Sequence, residues 1–245
     1  MMNQDALAQA AVAPIEAGML VGLGTGRAAA RAVQALALRV ATSGLRVSCV
    51  ATSKATEKLA GELGLRLIEP SGVSRVDYLF DGADEVDPGL RMTKGGGGAM
   101  TRERIIAAMA WRRVYMIDEG KLVARLGERA KLPVEVVTTA RQLVARVLEE
   151  LGLEGTYRVL PGGREEFLTD NGALVLDAKL PEAMSGAAGL ETLAVRLRAV
   201  PGVVDHGLFL RECEELLVEP AGGGAGGGAV RRLVRAKEPG QRATR

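Results

Sequence analysis

Histidine occurs once in this chain of 245 residues, at His206, and cysteine only twice, at Cys49 and Cys213. With so few soft ligands, neither a zinc site nor a Ser-His-Asp triad is expected. Acid and base work must then fall to carboxylates and lysines. The two cysteines lie far apart with no second pair, which argues against a disulfide framework or a C-x-x-C knuckle and for two reduced structural thiols. No run of 18 or more apolar residues is present, and the opening "MMNQDALAQAAVAPIEAG" has no basic stretch followed by an apolar block. A cytoplasmic protein without a membrane span is expected.

Hydrophobic residues make up 47% and charged residues 25%, the balance of an ordinary globular chain long enough for one large domain or two modest ones. The net charge of +2 is unevenly spread. From Ala221 onward six basic residues face one acid, Glu238, an excess of +5 that leaves residues 1–220 at −3. The basicity belongs to a tail, read as a solvated appendage rather than a nucleic-acid arm.

The first 120 residues alternate short apolar runs with helical periods. "GMLVGLG" (18–24) predicts a strand, "RAAARAVQALALRV" (27–40) a helix closed by Gly44, and "LRVSCV" (45–50) a second strand. A helix over 54–63 and strands over 65–69 and 76–80 follow, then a helix over 101–113 with Ile105, Ile106, Met109 and Ala110 on its apolar side. A strand over 113–118 completes the series. This rhythm implies an α/β fold: an open, mainly parallel Rossmann-like sheet with helices on both faces.

From about residue 131 a strand "LPVEVV", a helix "ARQLVARVLEELG", a strand "TYRVL", a hairpin turning at Asp170, Asn171 and Gly172, and a helix ending at Pro201 and Gly202 predict a second, smaller α+β domain of the split βαβ, ferredoxin-like kind. The expected division is 1–129 with 206–220 for the catalytic α/β domain and 130–205 for the small one. Residues 221–245, with "AGGGAGGGA", are expected to be a disordered linker and basic tail.

Four segments gather at the carboxyl ends of the predicted strands, where open α/β sheets bind ligands: the glycines after residue 21, "ATSK", "DGAD" and "DEGK". "GLGTGRAAA" brings backbone amides toward a helix start, as a phosphate loop or as a tight turn. It is not a dinucleotide fingerprint, because Arg27 stands where the third glycine belongs and no acid follows the second strand.

"DGAD" places Asp81 and Asp84 at a strand end, with Gly82 allowing a sharp turn; such acids also serve ordinary turns and helix caps. Lys94 precedes four consecutive glycines, Gly95 to Gly98, whose amides can line a ligand. Glu103 follows Thr101, a candidate N-cap; a glutamate there either satisfies the helix dipole at the surface or, kept ionised by it, acts as a base. Glu85 and Asp87 are expected to face solvent in the connecting turn.

Together the set suits proton transfer beside a carbonyl. Glu103 moves a proton between adjacent carbons, Lys94 and backbone amides hold the enediolate oxygen, and Asp81 and Asp84 handle hydroxyl protons. Neither metal nor redox cofactor is required.

In this order, "VGLGTG", "ATSKATEKLA", "DYLFDGADEVD", "MTKGGGGAMTRERIIA", "LPVEVV", "TDNGALVLD" and "PGVVDHGLF" closely resemble ribose-5-phosphate isomerase of the type A class, over roughly residues 5–211. The resemblance implies interconversion of ribose 5-phosphate and ribulose 5-phosphate through a cis-enediol without metal, in the non-oxidative pentose phosphate pathway. It assigns Glu103 as the base and Asp81, Asp84 and Lys94 as the other catalytic positions. It places the sugar phosphate against Thr25, Gly26, Arg27 and Ala28, Gly82 and Ala83, Gly95, Gly96 and Gly97, and Lys121. A homodimer or dimer of dimers is implied as well.

The chain departs from the family pattern at three points. Arg27 and Ala28 replace a Ser-Thr pair whose hydroxyls serve the phosphate, so Arg27 is expected to supply a bidentate contact instead. The first helix, "DALAQAAVA", lacks a lysine often found there, and the C-terminal segment diverges, with a lost final strand expected. Both Glu103 and Lys94 are present, as a catalyst requires; a non-catalytic sugar-phosphate sensor or an isomerase of another sugar phosphate is the alternative.

Overall fold

A computed structural model of the chain describes residues 5–221 and 229–236. A six-stranded sheet forms its larger part, built from β1 (Leu20–Leu23), β2 (Ser48–Ala51), β3 (Val76–Gly82), β6 (Ala110–Asp118), β12 (Glu215–Glu219) and β13 (Arg231–Val234). The order across the sheet is β13-β12-β6-β3-β1-β2, parallel throughout except for β13. Strands β1 and β3 are neighbours although the chain first leaves β1 for β2 on its other side. Their carboxyl ends therefore flank the point where the winding reverses.

Helices cover both faces, as the alternating apolar runs predict. On one side α1 (Ala6–Val12) and α2 (Arg27–Ser43) pack on Tyr78 and Phe80 of β3 and Val21 and Leu23 of β1. On the other, α4 (Met100–Met109) buries Ile106 and Ala107 against Val76 and Leu79. Helix α3 (Lys54–Glu62) follows β2 and opens on Ser53, whose hydroxyl accepts the Thr56 N–H. Gly44 closes α2 in the left-handed conformation (φ +67°), which glycine adopts without a Cβ penalty.

The second sheet is antiparallel, in the order β10-β7-β9-β8, from β7 (Leu132–Val136), β8 (Gly155–Tyr157), β9 (Leu174–Ala178) and β10 (Val203–His206). With α5 (Arg141–Glu150) and α6 (Ala187–Arg198) packed on it, this is the split βαβ arrangement. A third, small sheet, β11-β5-β4, joins β4 (Glu85–Val86), β5 (Met92–Thr93) and β11 (Leu208–Phe209). No helix among the described residues is long and apolar enough to cross a membrane.

Several expectations need correction. The segment 65–69 makes only one bridge, Cys49 to Leu67, because Pro70 removes a donor and turns the chain. Helix α4 begins at Met100 with Ala99, not Thr101, at its N-cap. Its buried stripe is Met100, Glu103, Ile106 and Ala107, while Ile105 is exposed and Ala110 already belongs to β6.

Glu85 and Asp87 do not face solvent: both are buried. Asp87 is consumed locally by the N–H groups of Gly89 and Arg91 and by the Arg91 guanidinium.

The C-terminal segment is also not lost. Residues 231–234, expected to be disordered, pair antiparallel with β12 and extend the sheet; the glycine-rich 222–228 and the basic 237–245 lie outside the described residues. Arginines draw this strand in: Arg232 meets Glu215 (2.7 Å), Arg231 meets Glu119 (2.6 Å), and Arg235 donates to the carbonyls of Cys213 (2.9 Å), Leu90 (2.6 Å) and Leu210 (3.0 Å). Replacing Arg235 with Ala leaves three carbonyls without this donor and should cost about 1–3 kcal/mol of stability, read as a lower midpoint in urea unfolding. An unchanged midpoint would show that the Arg235 side chain adds nothing to the fold.

Candidate active site

The site is assembled at the reversal point of the large sheet. Beyond β1 the chain runs Gly24, Thr25, Gly26 into α2; beyond β3 it runs Ala83, Asp84 into β4. The two loops are stitched together by Asp81, whose Oδ1 accepts the N–H groups of Thr25 (2.9 Å) and Gly82 (2.7 Å). Gly24 explains itself here. A Cβ at that position would lie 2.3 Å from Asp81 Oδ1 and 2.5 Å from its Cα, so only a bare backbone fits.

Lys94, at the end of β5, passes its ammonium between the two loops. Its Nζ lies 2.9 Å from Asp81 Oδ2 and 3.1 Å from Glu103 Oε1, and donates to the Gly82 carbonyl. All three charged side chains are buried. Glu103 reaches them because it sits on the buried stripe of α4, a place where periodicity calls for an apolar residue. Its second oxygen, Oε2, is buried without a hydrogen-bond partner.

These groups meet a cleft of about 730 Å³. Lys94, Glu103, Asp84, Lys121 and the loops 25–28, 82–83 and 95–97 all line it, which brings together every site residue expected from the sequence except Asp81. Asp81 stands behind Lys94, fully buried. Asp84 faces the cleft and accepts the Gly96 N–H (2.7 Å), and Lys121 donates to the Ala83 carbonyl (2.6 Å). Arg27 is exposed at the first position of α2, whose N-cap Gly26 supplies no side-chain cap.

Burial dominates the electrostatics. It pushes Glu103 well above the ordinary glutamate range; Lys94 pulls the other way, and Asp81 adds to the rise. This corrects the expectation that the helix dipole keeps Glu103 ionised. Burial alone would lower Lys94, but the charges of Asp81 and Glu103 outweigh it and hold the ammonium above its usual value. His206 takes no part: it is buried, bonded at both ring nitrogens to Ala194 and Leu208, and drawn down to about 3 by burial and then by Arg104 and Arg198.

A model of the family described as ribose 5-phosphate isomerase A (phosphoriboisomerase A) matches residues 48–223. The chain belongs to that family. The ribose-5-phosphate isomerase A of Thermomicrobium roseum is 44% identical over 216 residues, covering 88% of this chain and 89% of that protein. That of Sinorhizobium fredii is 44% identical over 210 residues, covering 83% and 87%.

Among solved structures, ribose 5-phosphate isomerase A of Methanocaldococcus jannaschii is 34% identical with a TM-score of 0.84, covering 94% of this chain and 97% of that one. A D-ribose-5-phosphate isomerase solved with phospho-erythronic acid is 29% identical with a TM-score of 0.86, covering 95% and 97%.

Membership in the isomerase family fits the fold and the cleft, but several lining residues were not legible beforehand. Arg129 and Lys131 follow Lys121 along the chain and carry no motif of their own. Arg158 and Asp177 come from the small antiparallel sheet. Arg158 forms a two-point pair with Asp177 (2.6 and 2.8 Å) and donates to the Gly96 carbonyl (3.0 Å), so the second sheet helps hold the glycine loop. Nothing in local sequence links residues 158 and 96.

The Gly24 contact has a direct consequence. Gly24→Ala must displace the backbone of β3 at Asp81 and should cost about 1–3 kcal/mol, with loss of isomerase activity in the folded fraction. Wild-type stability and turnover together would remove the steric argument.

Proposed function

We propose that the cleft interconverts D-ribose 5-phosphate and D-ribulose 5-phosphate through a cis-enediol(ate), with Glu103 carrying one proton between C2 and C1. The observation that carries this reading is the unpartnered, buried Oε2 of Glu103, on a residue that lines the cleft while its other oxygen is fixed by Lys94. A carboxylate so desolvated is a stronger base than one in water, and its orientation is set before substrate arrives.

Starting from the aldose, Glu103 takes the C2 proton, the C–H electrons form the C1–C2 double bond, and charge builds on O1. Lys94 and the glycine loop stabilise that oxygen. Of the loop's amides, Gly96 is taken by Asp84 and Gly98 by the Gly95 carbonyl, which narrows the available donors to Gly95 and Gly97. The O2 proton passes to O1 through Asp84, and Glu103 returns its proton to C1, leaving the ketone at C2.

Asp81 is assigned a different part from the one expected of it. Its place behind Lys94 suits holding the ammonium and the two loops rather than exchanging hydroxyl protons. The same reading includes a homodimer or dimer of dimers, open to sedimentation measurement, and a cytoplasmic location. EDTA is expected to leave turnover unchanged.

Two substitutions test the assignment. Glu103→Gln keeps the shape but cannot accept a proton, so kcat should fall by roughly 10² to 10⁴ with little change in KM. Because the base works only when ionised and burial raises it, the wild-type kcat/KM should decline on the acid side, at a pH above the ordinary glutamate range of about 4.3. Comparable kcat in Glu103→Gln would remove it as the base. Arg27→Ala, which takes away the cation at the start of α2, should raise KM severalfold at nearly constant kcat; an unaltered KM rules out a phosphate contact by Arg27.

A further inference from the structure

Glu85 lies one residue beyond the acids of the site and plays no part in the chemistry above. It is fully buried in β4, and no cation pairs with it among the described residues. Its carboxylate is satisfied by backbone instead: Oε1 accepts the N–H groups of Arg129 and of Ala130 (2.7 Å), and Oε2 that of Gly127 (2.7 Å). A buried carboxylate is tolerated only when such donors use its lone pairs, so Glu85 and the 127–130 turn fix one another. Gly127 sits at φ +84°, and a Cβ there would come within 2.6 Å of Leu180. The turn is built to one shape.

That shape presents a wall of the cleft. Arg129, Ala130 and Lys131 line it, and the Arg129 guanidinium also donates to the carbonyl of Gly120, beside Lys121. The charges of the cleft divide into two kinds. Lys94 is more than offset by Asp81 and Glu103, Arg158 pairs with Asp177, and Asp84 adds one further negative charge, held by the Gly96 N–H. Arg27, Lys121, Arg129 and Lys131 have no carboxylate partner among the described residues. Surplus positive charge on the lining of one cleft is what a dianionic phosphate monoester requires.

We propose that Arg129 and Lys131 are phosphate-binding residues of this cleft and that Glu85 is the positioning residue that holds them there. Binding would then come from two directions, the start of α2 and the Glu85-anchored turn. The proposal rests on the reading of the cleft as the sugar-phosphate site.

The experiment is steady-state kinetics with ribose 5-phosphate at low ionic strength, together with competitive inhibition by inorganic phosphate. Arg129→Ala and Lys131→Ala, whose side chains are exposed, should each raise KM and the phosphate inhibition constant together by roughly tenfold, with kcat moved far less. Glu85→Gln turns an NH₂ group toward backbone N–H donors and should reproduce that rise. Adding Arg129→Ala to it should then do little more. Glu85→Asp, which keeps the charge but withdraws the oxygens, should give the same pattern should the glutamine variant not fold.

Unchanged phosphate inhibition in Arg129→Ala and Lys131→Ala overturns the wall. A fall in kcat with phosphate inhibition intact in the Glu85 variants, or full additivity with Arg129→Ala, overturns its positioning role. Either result beside an inactive Glu103→Gln rejects this proposal alone, whereas an active Glu103→Gln rejects the catalytic reading beneath it.

Discussion

The ammonium of Lys94 lies between two carboxylates and a carbonyl, almost wholly buried where the cleft meets the sheet, and most of the site's properties follow from that contact. One cation facing two buried acids leaves one negative charge in surplus. Asp81 is tied by two backbone N–H donors as well as by Lys94, whereas the outer oxygen of Glu103 has no donor. The surplus is therefore felt most at Glu103, where burial already disfavours charge. Removing one member of such a buried set costs about 3–5 kcal/mol, so the arrangement cannot be loosened one residue at a time.

The sheet supplies the place for that cluster. Because β1 and β3 are adjacent while their following loops diverge, an opening forms at their carboxyl ends, and Asp81 ties its two sides together. Lys94 enters from the small three-stranded sheet and Glu103 from the helix on the opposite face to α2. Three separate stretches thus meet around one ammonium group. The glycines serve that convergence: Gly24 lets β1 approach Asp81, and the run after Lys94 lets the chain wrap the cleft without side chains in the way.

Much of this was legible in the sequence, for identifiable reasons. Strand ends, glycines and acids lie within single segments, and periodicity of apolar residues locates β1, α2, β3 and most of α4. What local sequence could not show is where a polar side chain finds its partner. Glu85 looks like any acid of a turn, yet its donors lie about forty residues further along. Glu103 looks like a first-turn surface glutamate because the apolar period through Ile105 and Ile106 runs one residue out of phase with the buried stripe through Ile106 and Ala107. The strand β13 carries little local signal because its four residues include two arginines; it forms because Glu215 and Glu119 receive them. Each miss is a long-range pairing overriding a local preference.

The two halves of the cleft, as proposed above, obey different physical demands. Moving a proton between adjacent carbons, the part proposed for Asp81, Lys94 and Glu103, requires fixed atoms within a few tenths of an ångström, and that cluster is buried and interlocked. A phosphate is a remote handle with three equivalent oxygens and a double charge. It can be held by hydroxyls, by amides or by guanidinium groups, provided that the summed charge and reach suffice. An arginine and an alanine at the start of α2, Arg27 and Ala28, are therefore compatible with the phosphate role proposed for that loop. Under that proposal recognition depends more on exposed cations, whose attraction weakens with salt, than on short neutral hydrogen bonds. In the same proposal a buried acid such as Glu85, which fixes backbone rather than neutralising those cations, limits the loss because it orders the 127–130 turn without cancelling the charge beside it.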